Sequence, residues 1–211
     1  MSENNLEYEL EVSNDLDENS DDVVNKTSTK EFVFEWLEIL VHAIIVVVIC
    51  FSFFFRIATI DGSSMENTLF DGEKVIISNM FYEPKVGDIV VISRNKENSI
   101  YTMDGSNTPI IKRIIATEGQ MVDIDFDKGI VYVDGVALDE PYTKTPTNVN
   151  HGVEFPVIVD EGCVFVLGDN RNDSYDSRSP QIGEYGMIDT RYILGKALFR
   201  ILPFERMGGL K

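Results

Sequence analysis

Ser64 stands in Asp61-Gly62-Ser63-Ser64-Met65, nine residues past a long apolar stretch, and Lys112 stands among isoleucines in Ile110-Ile111-Lys112-Arg113-Ile114-Ile115. A serine hydroxyl is a weak nucleophile until a base takes its proton. Lysine can be that base only when neutral. Its pKa of about 10.4 must then fall by roughly two to three, at a cost of about 3–4 kcal/mol that burial has to impose. A strand with isoleucines on both faces offers such desolvation. On a period of two, Ile110, Lys112 and Ile114 share one face, and Ile111, Arg113 and Ile115 the other. The pair suggests a Ser/Lys hydrolase working at a membrane surface. Histidine bases are poorly supplied. His42 lies inside the apolar stretch, and His151 lies in the polar run Asn148-Val149-Asn150-His151-Gly152 with no oriented acidic neighbour.

A third segment, residues 168–178, follows a hydrophobic run and reads Gly168-Asp169-Asn170-Arg171-Asn172-Asp173-Ser174-Tyr175-Asp176-Ser177-Arg178. Its density of compatible donors and acceptors suggests a hydrogen-bonded support around a site. Gly62 permits close approach of a substrate backbone, and the Ser64 N–H can face a developing oxyanion. Each feature alone also fits a plainer role. Lys112 fits an edge-strand charge that blocks aggregation, Gly62 an Asp-Gly turn, and the polar segment a surface loop. Two cysteines, Cys50 in the apolar stretch and Cys163 far along the chain, suit neither a disulfide nor a metal site. No metal and no cofactor is expected.

The elements that must position these residues begin with residues 1–35, an acidic tail too poor in apolar groups to fold. Residues 39–55 are apolar except for His42 and Ser52, near the lower limit of the roughly 20 residues that cross a bilayer. Trp36 and the run Phe51, Phe53, Phe54, Phe55 suit the two interfaces. We therefore expect a single transmembrane anchor over 36–58. A cleaved signal peptide fits poorly, because the preceding segment is long and acidic rather than short and basic. Beyond the anchor, strand signals take over at 74–78, 88–92, 110–115 and 164–167. Val131-Tyr132-Val133 and Val136-Ala137-Leu138 flank Asp134-Gly135, a hairpin signal. Residues 95–109 and 143–152 read as exposed loops. The expected fold is mainly β: an antiparallel sheet domain over 59–211, with a hairpin-containing subdomain near 120–160, tethered by one N-terminal transmembrane helix.

The net charge of −18 argues against a nucleic-acid partner, which requires a basic face. Residues 1–38 carry −10 of it, from twelve acidic residues against Lys26 and Lys30. Orientation across a membrane is weakly marked, with Lys26 and Lys30 before the span and Arg56 and Lys74 after it.

Taken together, the segments resemble the bacterial type I signal peptidase family, the membrane-bound Ser/Lys leader peptidases. The resemblance is carried by four boxes in order: Asp61-Gly62-Ser63-Ser64-Met65-Glu66-Asn67-Thr68-Leu69, then Gly87-Asp88-Ile89-Val90, then Lys112-Arg113-Ile114-Ile115-Ala116-Thr117-Glu118-Gly119, then Gly168-Asp169-Asn170-Arg171 with Ser174, Asp176, Ser177 and Arg178. It runs from the apolar stretch to Pro203 and leaves out the acidic tail. It implies an endopeptidase that removes signal peptides from exported preproteins. Ser64 would be the nucleophile and Lys112 the general base. Ser174 would hydrogen-bond the lysine amine, Asp176 and Arg178 would form a supporting ion pair, and Asp169 and Arg171 would brace the same region. Ser64, Gly62 and Met65 would lie on the oxyanion and substrate side. The implied partners are preprotein signal peptides, the lipid bilayer and the export machinery. The implied location is the cell membrane, with the N-terminus cytoplasmic and the catalytic domain outside. Two departures stand out: Asn67 replaces a frequent proline, and Gly62 stands where some members place a serine as second oxyanion donor. The rival expectations are a self-cleaving repressor-like Ser/Lys protease and a membrane-tethered β domain that only binds export partners.

Overall fold

The computed structural model describes residues 30–94 and 108–210. Most of the expected acidic tail and of the loop at 95–109 lies outside the described residues. The chain divides into two units, Met1–Phe53 and Phe54–Lys211.

In the first unit, helix α1 (Lys30–Phe54) has 25 residues, about 37 Å at 1.5 Å per residue. That is long enough, and apolar enough, to cross a hydrocarbon core of about 30 Å. None of its apolar side chains is buried within the chain. Its two polar interior residues turn to their own backbone: His42 Nδ1 lies 2.8 Å from Glu38 O, and Ser52 Oγ donates to Val48 O at 2.7 Å. Among the described residues the helix covers Lys30–Phe54 and stops at Phe54, whereas the sequence suggested 36–58. β-Branched and aromatic residues after Phe54 form a strand instead.

The second unit is built on two antiparallel sheets. The larger orders its strands as β1 (Phe55–Thr59), β2 (Lys74–Ser78), β11 (Ile193–Leu202), β3 (Ile89–Ile92), β4 (Ile110–Thr117), β9 (Cys163–Leu167) and β10 (Ile188–Asp189), with β12 (Gly208–Gly209) also on β11. The smaller orders β7 (Val136–Ala137), β6 (Ile130–Val133), β5 (Met121–Asp125) and β8 (Val157–Ile158). The expected hairpin joins β6 to β7, with Val133 opposite Val136 and both turn residues, Asp134 and Gly135, at positive φ. That double positive φ is what a type I′ turn requires.

Strand β4 positions the chemistry. It is central rather than at an edge, pairing with β3 on one side and β9 on the other. The edge-charge reading of Lys112 is thereby excluded. A register shift against β9 between Ile114 and Ala116 re-aims the end of the strand. Its apolar residues feed three clusters. Ile111 joins Met65, Leu69, Val75 and Ile89, while Ile114 joins Val90, Val164 and Val166. Ile115 and Ala116 pack with Phe165, Leu167 and the inner face of the smaller sheet, Val122, Ile124, Val131 and Val133.

Candidate active site

The nucleophile turn is fixed from below. Gly62 adopts φ +88° and its N–H donates to Asp71 Oδ1 at 2.8 Å. Beyond it the chain closes on itself, with Glu66 N–H donating to Ser63 O at 3.0 Å and Leu69 N–H to Met65 O at 2.8 Å. Met65 and Leu69 are buried and anchor this turn in the core. The Met65 side chain packs in the core cluster with Leu69, Val75 and Ile89. The Gly62 N–H is thus directed to the Asp71 carboxylate. Among the described residues, the Ser64 N–H meets no acceptor. Asn67 takes φ +92°, a conformation closed to proline, and its Nδ2 donates to Tyr142 O at 3.0 Å. The turn is therefore strapped rather than loosened at the position where proline is frequent.

Lys112 Nζ lies 2.7 Å from Ser64 Oγ and donates to Ile111 O at 3.0 Å. The lysine is only 3% exposed. Burial pulls its pKa from 10.5 down to about 8; Arg94 and Arg178 act in the same direction, while Asp176 and Asp169 oppose them. An amine so placed is substantially neutral near pH 8 and can accept the Ser64 proton. His151 packs edge-on against Tyr175, outside this pair.

The polar segment is no surface loop. Asp169, Arg171, Asp176, Ser177 and Arg178 are fully buried, and Ser174 nearly so. Asp176 and Arg178 form a two-point ion pair, Nε to Oδ1 at 2.8 Å and Nη2 to Oδ2 at 2.9 Å. Burial works against ionising Asp176, but Arg178 and the Gly168 N–H, 3.0 Å from Oδ2, outweigh it and hold the carboxyl below its usual range. Arg178 also donates to Ser174 O at 3.2 Å and Val149 O at 2.9 Å, tying the segment to itself and to the stretch at 143–152.

Two partnerships differ from the simplest reading of the segment. Asp169 pairs with Arg113, Nε to Oδ1 at 2.9 Å and Nη2 to Oδ2 at 2.8 Å, and it also accepts from Thr68 Oγ1. Arg171 instead grips Glu140 with two hydrogen bonds and Thr147 Oγ1 at 2.7 Å. Tyr142 lies over the Arg113 guanidinium, 3.9 Å from its ring centre, and Lys144 N–H donates to Asp169 O at 2.9 Å. Part of the stretch taken for an exposed loop at 143–152 thus braces the site. Arg113 and Glu140 are missing from the sequence-based set. The signal for both was charge balance: two buried ion pairs with Asp169 and Arg171 need two opposite charges from elsewhere.

Ser174 and Ser64 are drawn together at Gly168. A Cβ on Gly168 would overlap both Ser174 Oγ and the Ser64 carbonyl oxygen. The hydrogen bond expected from Ser174 to Lys112 is not made. Ser174 Oγ is buried beside the Asp176 carboxylate, whose ionised form it favours, and it makes no hydrogen bond to the amine, which meets Ser64 Oγ and Ile111 O. Among the described residues no group of histidine, cysteine and carboxylate side chains could hold a metal ion.

Known proteins match this chain over most of its length. The family model for signal peptidase, peptidase S26, matches residues 33–202. A probable signal peptidase I-1 of Synechocystis is 34% identical over 184 residues, 85% of this chain and 88% of that protein. Signal peptidase I of Bacillus licheniformis is 32% identical over 86% of this chain and 95% of its own length, and signal peptidase IB of Staphylococcus aureus is 32% identical over 83% and 93%. A buried lysine on a serine, in a chain that follows these proteins over nearly their whole length, has one consistent reading: the chain belongs to the signal peptidase family, peptidase S26.

Proposed function

We propose that Ser64 and Lys112 are the nucleophile and general base of this signal peptidase, which cleaves N-terminal signal peptides from preproteins as a serine endopeptidase. The observation that carries the assignment is the 2.7 Å contact between Ser64 Oγ and a buried amine whose pKa is lowered to about 8. Ser64 Oγ attacks the scissile carbonyl while Lys112 Nζ takes its proton. The Ser64 N–H stabilises the oxyanion as the tetrahedral intermediate forms. Lys112 returns the proton to the leaving amine, giving an acyl-enzyme. It then draws a proton from water, which attacks the ester, and hands that proton to Ser64 Oγ as the acyl–oxygen bond breaks, restoring the serine and the neutral amine.

The substrate segment binds extended, against a strand edge of the enzyme, with small side chains before the cut. Asp176–Arg178 and Asp169–Arg113 hold the floor of the site, and Ser174 presents a hydroxyl able to reach the amine once substrate draws Ser64 away. Helix α1 anchors the chain in the cell membrane, with the N-terminus cytoplasmic and the sheet unit outside. Protease protection of both termini in intact cells tests that topology; protection of the sheet unit from external protease would reverse it.

The chemical assignment is tested with a signal-peptide-bearing preprotein and the purified full chain. Ser64→Ala and Lys112→Ala should each remove cleavage while keeping a cooperative unfolding transition. Undiminished cleavage by Lys112→Ala at neutral pH would remove lysine from the mechanism.

A further inference from the structure

Asn170 makes no hydrogen bond to the Lys112 amine or to Ser64 Oγ, yet it grips the backbone at the nucleophile twice. Its own N–H donates to Ser64 O at 3.0 Å, and its side-chain Nδ2 donates to Ser63 O at 3.1 Å. The side chain is buried, with the residue 4% exposed. Because Ser63 O accepts, the amide must present its nitrogen there.

The Ser63 carbonyl and the Ser64 N–H belong to one planar trans peptide unit and point in opposite directions. Fixing Ser63 O therefore fixes where the Ser64 N–H points. The second bond fixes the next peptide unit, which carries the Ser64 carbonyl. The two soft dihedrals of Ser64 are thus held from both sides by a single residue. A donor on the carbonyl also polarises its amide and strengthens the N–H at the other end. This matters here because neighbouring donors are spent. Gly62 has no side chain and its N–H is bound by Asp71, while Ser63 Oγ donates to Asp173 Oδ2 at 2.5 Å.

We propose that Asn170 is a positioning residue for catalysis, aiming and polarising the Ser64 N–H as oxyanion donor. The inference rests on Ser64 being the nucleophile. It separates Asn170 from the ion pairs beside it, which hold the loop, and gives its side chain a role confined to the transition state.

The test uses the full-length chain, with Asn170→Asp, which keeps the shape and loses the donor, and Asn170→Ala. Preprotein cleavage gives kcat and KM. A peptide boronate, which forms a tetrahedral adduct on Ser64, and a same-sequence peptide with a reduced, uncleavable bond report transition-state and ground-state affinity. Loss of a whole oxyanion donor costs about 10²–10³ in kcat, so loss of its aiming should cost about 10–100-fold. KM should stay within about twofold, as for an interaction made only in the transition state. Boronate affinity should fall with kcat, and the reduced peptide should bind as before. A kcat within about threefold of wild type in both variants overturns the proposal, as does equal weakening of boronate and reduced peptide. If Asn170→Asp does not fold, Asn170→Ala is judged by the same criteria. A wild-type chain that forms no boronate adduct on Ser64 overturns the nucleophile assignment itself, a result distinct from any shown by the Asn170 variants.

Discussion

Ser174 shows how a single residue can be costly at rest and still be kept. A buried hydroxyl without a well-formed hydrogen bond loses about 1–3 kcal/mol, and Ser174 Oγ has at most a weak contact with the Asp176 carboxylate. Its removal should therefore leave stability unchanged or slightly higher. Its neighbours are Gly168 and the Ser64 carbonyl, beside the serine proposed as nucleophile. Ser174→Ala is expected to lower kcat/KM by about 10-fold or more, within the range for a group assisting proton transfer, with no loss in thermal unfolding temperature. An equal fall in stability and activity would reduce Ser174 to packing. Lys112 follows the same logic on a larger scale. Moving its pKa from 10.5 to about 8 costs about 3 kcal/mol at ~1.4 kcal/mol per unit. The sheet accommodates that cost through the apolar contacts of its neighbours on β4.

Among elements, the segment after β9 does most to assemble the site, because it carries Gly168, Asn170, Ser174 and the Asp176–Arg178 pair within a few residues. Gly168 is the tightest point. A methyl there meets the Ser64 backbone oxygen, which cannot swing aside as a flexible side chain would. Gly168→Ala is expected to destabilise by about 1–3 kcal/mol, the usual cost of overpacking, and to remove most activity; preprotein cleavage alongside thermal unfolding checks both. Other elements differ in how openly the sequence declares them. Strand β2 and the β6–β7 hairpin are legible because alternation and an Asp-Gly turn act locally. The longest strand, β11, is not, since Gly195 and register shifts against β2 and β3 break its period of two. Strand β1 is masked by the apolar run before it, where hydropathy does not show that the helix gives way at Phe54. Within the site, Ser64 and Lys112 are readable because their chemistry is distinctive. Arg113 and Glu140 are not, since only long-range packing supplies them as partners of Asp169 and Arg171.

At the scale of the whole molecule, two units serve one reaction. A helix able to cross a bilayer confines the enzyme to the surface that also holds signal peptides, so encounter occurs at a raised effective concentration. A chain lacking residues 1–53 should keep the unfolding transition of the sheet unit but cleave membrane-inserted preprotein at least about 10-fold more slowly than the full chain. Its cleavage of a short soluble peptide should change far less, and equal losses on both substrates would show that the helix supports folding instead. The most direct test of the dyad is the pH dependence of kcat/KM for preprotein cleavage. The free enzyme's base must be unprotonated to act, so activity rises with pH through the pKa of Lys112 and is lost as pH falls below it. The expected profile has an ascending limb with an apparent pKa near about 8, falling about tenfold per pH unit on its acid side. A profile that stays flat from about pH 6 to about pH 9, or a Lys112→Ala variant that follows the wild-type curve, would contradict a lysine base.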